Sequence, residues 1–99
     1  MARTVVWSPR AIDDVNDIAA HIAQDSEAYA ASVVRVILSK TRKLAEFPRI
    51  GRIVPELDDE TIREVFAYSY RIIYDVTDNQ VTIATVVHGS RMLGLAIKP

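Results

Sequence analysis

Apolar residues recur with a helical period before Gly51 and with a strand-like period after it, so the chain must combine two kinds of element. Ile12, Val15, Ile18, Ala19 and Ile22 return every three to four residues and predict an amphipathic helix with one core face, with Asp13, Asp14 and Asp17 off that stripe. Ser8 suits its N-cap, and Pro9 fits the first helical position, where a missing donor costs nothing. Ser26 and Glu27 restart the pattern. Ala30, Val33, Ile37 and Leu44, with Val34 and Leu38 beside them, predict a second helix to about Ala45. Phe47-Pro48 ends it, because a residue before proline is pushed out of the α region. The short connection between the helices predicts an αα-hairpin.

Arg3 to Trp7 is β-branched and aromatic and suits an opening strand. After Gly51 the β-rich runs are Ile53-Val54, Ile62 to Ala67, Tyr70 to Val76 and Val81 to His88, separated by Asp58-Asp59, Ser69 and Asp78-Asn79. Asp78 and Asn79 both tolerate the positive φ of a two-residue hairpin turn. The expected fold is a single α+β domain over residues 1–99, in the order β-α-α-β-β-β. Its N-terminal strand and αα-hairpin pack on one face of a small, mainly antiparallel sheet.

Ninety-nine residues suffice for one core and not for two. The chain has no cysteine, which excludes disulfide frameworks, thiolate zinc sites, iron–sulfur clusters and cysteine nucleophiles. No apolar run approaches the ~18 residues of a membrane span, and Met1-Ala-Arg-Thr leads into no signal-like stretch, so a cytoplasmic protein without membrane contact is expected. Twelve basic residues against thirteen acidic ones leave a net charge of −1, which excludes the global basic footprint of a dedicated nucleic-acid binder.

Strand alternation places Tyr70, Ile72, Tyr74 and Val76 towards the helices and Arg71, Ile73 and Asp75 on the other face. Arg71 is therefore expected on an open sheet face, where its removal leaves stability intact. His88-Gly89-Ser90-Arg91 closes the last strand with an imidazole, a flexible residue, a hydroxyl and a guanidinium, and is the best site candidate. His21, beside the stripe of the first helix, reads as a boundary residue, and no metal site is expected. From Arg35 to Arg52, six cations (Arg35, Lys40, Arg42, Lys43, Arg49, Arg52) face one acid, Glu46. This end can guide an acidic partner, although cations at a helix C-terminus also complement its dipole.

Several motifs in order carry a resemblance: Ser8-Pro9-x-Ala11 before an aspartate-rich helix, Leu44-Ala-Glu-Phe-Pro-Arg-Ile-Gly-Arg52, Pro55-Glu-Leu57, Tyr70-Arg-Ile-Ile-Tyr74 and Val86-Val-His-Gly-Ser-Arg91. Together, from about Val5 to Leu93, they resemble the RelE/ParE family of bacterial toxins. The resemblance implies a type II toxin without a cofactor, held inactive by a cognate antitoxin, ParD-like or other, and meeting operator DNA only through it. RelE-like members cut mRNA on the ribosome; ParE-like members poison DNA gyrase. For a RelE-like enzyme the catalytic candidates are Arg71, His88 and Arg91. The C-terminal tyrosine of the best-known enzyme does not carry over, since its place falls near Ile97, and the preceding strand offers only Arg63 for the expected lysine pair. The His-Gly-x-Arg ending, the Phe-Pro-Arg-x-Gly connector and the near-neutral charge lean towards ParE. The expectation is therefore a gyrase inhibitor that is not an enzyme. Arg71, His88, Ser90 and Arg91 are its target-binding candidates, and Arg35, Arg42, Arg49 and Arg52 its antitoxin-binding candidates. The alternatives are the endoribonuclease and a non-toxic antitoxin partner.

Overall fold

One hydroxyl both starts the first helix and ties it to the sheet. Ser8 Oγ accepts from the Ala11 N–H at 3.0 Å and donates to the Ala84 carbonyl at 2.8 Å. The computed structural model describes residues 2–90. Its elements are β1 (Thr4–Trp7), α1 (Pro9–Ala23), α2 (Glu27–Lys43), β2 (Arg52–Ile53), β3 (Ile62–Ala67), β4 (Tyr70–Val76) and β5 (Gln80–His88). The α+β architecture is the expected one, with one strand more: Arg52–Ile53 pairs antiparallel with β3. α2 stops two residues early because the chain tightens there, the N–H groups of Leu44, Ala45 and Glu46 bonding three residues back.

The sheet order is β1-β5-β4-β3-β2, with β1 parallel to β5 and the other pairs antiparallel. The turns differ from expectation. Asp78 and Asn79 do not take positive φ; the bend closes instead through the Thr77 N–H and hydroxyl, both donating to the Gln80 carbonyl. Tyr68, between β3 and β4, has φ 55°, as the two-residue connection there demands.

Ile72, Tyr74 and Val76 of β4 and Val81, Ile83 and Val86 of β5 pack against Ala11, Val33, Ile37 and Leu44. Small Ala11, rather than Ile12, is the innermost residue of α1, because α1 is drawn close to β5. Besides the Ser8 tether, the Asp14 carboxylate accepts from the Thr85 hydroxyl and from the Val86 N–H at 2.9 Å, satisfying a strand edge that β1 no longer covers. Ile12 is left 48% exposed. Gly51 must be glycine: a Cβ there would lie 2.5 Å from both the Glu64 carbonyl oxygen and the Tyr74 hydroxyl. Its N–H donates to that buried hydroxyl, whose pKa is pushed up by burial. Ile72 is fully buried, so Ile72→Ala should cost ~2–5 kcal/mol in chemical denaturation.

The sheet face away from the helices is not open. Val54, Ile73 and Val87 form a second small core there, with Leu57 and Ile62 against it. Residues 54–61 cross the face that was expected to be bare.

Candidate functional site

Arg71 lies on the face that alternation assigns to it, but it is buried there, which corrects the expectation of a free surface cation. Its Nη1 and Nη2 donate to the two oxygens of Glu56 at 2.8 and 2.9 Å, and its Nε donates to Glu64 Oε1 at 2.7 Å. Glu64, whose side chain is wholly buried, also accepts from Arg52 Nε. A guanidinium held as a fork by two carboxylates stays charged and has little capacity left for phosphate. The Glu56 hydrogen bond, countered by desolvation and helped by Glu64, pushes the Arg71 pKa further up. Arg63 is engaged as well, donating to the Glu60 and Gly51 carbonyls.

The same hydrogen bond holds the Glu56 carboxyl down at about 2, against its ordinary 4.5. A group with a depressed folded pKa stabilises fully above its unfolded value and loses that contribution as pH falls through the folded one. The Glu56 share is thus complete above about pH 4.5 and fades towards pH 2. Its side chain is 38% exposed, so screening keeps the effect small. Glu56→Gln should flatten the acid limb of the stability profile in that window, measured by urea denaturation at each pH.

His88 stands on the opposite face. It pairs across the ladder with Tyr70, and the two rings meet edge to face with centroids 5.7 Å apart. Its Nδ1 lies 2.8 Å from Ser90 Oγ and accepts the Ser90 N–H at 3.3 Å, so the neutral ring carries its proton on Nε2. Around it lies a groove of about 410 Å³ between α1 and the end of β5, lined also by Asp14, Asp17 and His21. The sequence alone does not link the histidines with these aspartates, because Asp14 reads as off the core stripe of α1, whereas the structure turns it onto β5. Gly89 is tightly packed: its N–H donates to the Ser69 carbonyl at 2.7 Å, and a Cβ would sit 3.1 Å from that oxygen. Arg91 lies outside the described residues. Among the described residues no group of three or more His, Asp or Glu is placed to hold a metal ion.

Arg35 borders a shallow groove on the outer side of the αα-hairpin, where two hollows of about 600 and 410 Å³ share Val34 and Leu38. The first is floored by alanines of both helices, and the second reaches Trp7 and Ile12. Arg42 is exposed in the last turn of α2, while Arg49 and Arg52 lie beyond it.

The fold is a five-stranded sheet, β1-β5-β4-β3-β2, with the α1-α2 hairpin on one face and the strand arginine Arg71 held by Glu56 and Glu64 on the other. The family described as ParE toxin of type II toxin–antitoxin system, parDE, matches residues 5–93. The chain is 34% identical over 89 residues to toxin RelE2 of Caulobacter vibrioides, spanning 89% of this chain and 97% of that protein. Its fold is similar to the chromosomal ParDE system of P. aeruginosa, with a TM-score of 0.72 and 16% identity over 88% of this chain and 96% of that one. It is also similar to a mutant of E. coli toxin RelE in the free state, with a TM-score of 0.69 and 20% identity over 97% and 93%. The chain belongs to the ParE toxin family of type II toxin–antitoxin systems, within the ParE/RelE superfamily.

Proposed function

We propose that this chain is a ParE-like toxin that stops growth by inhibiting DNA gyrase as a protein inhibitor, and that a cognate antitoxin neutralises it. The observation that carries this reading is the separation of Arg71 from His88. RNA cleavage needs a proton-transfer group and a cation for the developing charge at one phosphate. Here the imidazole and the guanidinium project from opposite faces of the sheet, and the guanidinium is already engaged by Glu56 and Glu64. A protein inhibitor needs neither group to move a proton.

The antitoxin is expected to lay a helix into the groove of the αα-hairpin, where small side chains allow close approach and Leu38, 39% exposed, offers an anchor. A ribosome-dependent endoribonuclease is the second reading, favoured by the likeness to a protein named RelE2. It requires either Arg71 to be released from both carboxylates or Arg91 to supply the cation beside His88. Expressing the chain alone in growing cells separates the two. Gyrase inhibition predicts broken chromosomal DNA and an induced DNA-damage response with transcripts intact, whereas cut transcripts with intact DNA establish the second reading.

A further inference from the structure

Ile50 is 64% exposed and lies in two adjoining hollows at the end of the molecule where α2 gives way to β2. One, of about 400 Å³, is lined by Phe47, Pro48 and Arg49; the other, of about 360 Å³, by Lys40, Lys43, Val65 and Phe66 among others. Phe47 is 57% exposed and Phe66 39%. Single exposed apolar residues are ordinary, but here Phe47 lines one hollow, Phe66 the other and Ile50 both, and three large exposed residues so placed mark a contact surface. Its rim is basic: Lys40, Lys43 and Arg49 make no ion pair among the described residues, and the nearest buried acid, Glu64, is held by Arg52 and Arg71. Glu46 is the one acid in the surrounding stretch.

The backbone adds a directional feature. The Val54 N–H bonds the Ile62 carbonyl across the β2–β3 ladder, so by alternation Glu64 and Phe66 also turn their N–H and C=O groups to that side. β2 begins only at Arg52, opposite Glu64, which leaves the main chain of Phe66 facing the hollow as an open sheet edge.

We infer that this corner binds an extended, acidic protein segment carrying a bulky apolar side chain. The segment's backbone pairs with Phe66, its apolar side chain enters between Ile50 and Phe66, and its carboxylates meet Lys40, Lys43 and Arg49. A nucleic acid fits less well. Ile50 and Pro48 have no π face for a base, the Arg52 guanidinium already covers the Phe66 ring at 5.5 Å from its centroid, and Phe47 alone is left to stack one. The surface is distinct from the groove of the αα-hairpin, because Lys40 and Lys43 lie roughly 120–180° round α2 from Val34 and Leu38. The inference is therefore independent of which target the toxin poisons.

The test is amide NMR of the full chain titrated with a ten-residue acidic peptide bearing a central Leu-Phe pair. Saturable shifts centred on Ile50, Gly51 and Phe66 are expected. Replacing the pair by Ala-Ala, or making Ile50→Asp in the protein, should weaken binding at least tenfold. Leu38→Asp should leave it unchanged, so failure here is distinguishable from failure of the antitoxin reading. Ile50→Asp alters an exposed loop residue, and an unchanged melting temperature verifies its fold. Shifts confined to α1 and α2, tighter binding of a single-stranded oligonucleotide at the same amides, or self-association through this corner without peptide would each overturn the inference.

Discussion

Glu64→Ala should destabilise the fold by about 3–5 kcal/mol, the usual cost of removing one partner of a buried ion pair. Its carboxylate has no exposed surface and serves both Arg71 and Arg52. Without it, the buried Arg71 retains only Glu56, which is partly open to water. Arg71→Ala should also be costly, because it leaves the buried Glu64 with only the largely exposed Arg52 as partner. Arg52→Ala, at a largely exposed side chain, should cost under about 1 kcal/mol. The double change Glu64→Leu with Arg71→Met should recover much of the loss, since apolar pairs of similar volume commonly replace buried ion pairs without penalty. Urea denaturation of the four variants decides the matter. If Glu64→Ala costs no more than Arg52→Ala, the carboxylates do not hold Arg71 as described.

The second large effect belongs to the outer groove of the αα-hairpin. Leu38 borders both hollows, so placing a carboxylate there desolvates a charge wherever a partner helix packs. Leu38→Asp should weaken antitoxin binding roughly 100-fold, equivalent to nearly 3 kcal/mol, while the melting temperature of the free chain changes little. Titration calorimetry with the cognate antitoxin reads this directly. Unchanged affinity would place the antitoxin elsewhere.

The elements were legible in the sequence where local chemistry decides them. Ser8 with Pro9, and Ser26 with Glu27, start the helices at those positions, and both serine hydroxyls cap as their residue type suggests. The faces of β4 were also legible, because a period of two leaves no choice once Ile72 and Tyr74 point to the helices. What lay beyond the sequence was tertiary. Nothing local in Pro55-Glu-Leu57 says that this segment crosses the far side of the sheet, so Arg71 read as free when Glu56 in fact reaches it across fifteen residues. Likewise the choice of Ala11 over Ile12 as the inward residue follows from how closely α1 approaches β5, which Asp14 helps to set. For the candidate site, single residues were legible, but their grouping was not: His88 and Arg71 are one place apart in the ladder and so on opposite faces, while His21 and His88 share one groove.

The most direct measurement adds the purified chain, without antitoxin, to DNA gyrase and relaxed plasmid, and in parallel to programmed ribosomes carrying mRNA. A ParE-like inhibitor stops supercoiling, traps cleaved plasmid on the enzyme and leaves the mRNA whole. Supercoiling at its normal rate, together with mRNA cut only when ribosomes are present, would contradict it.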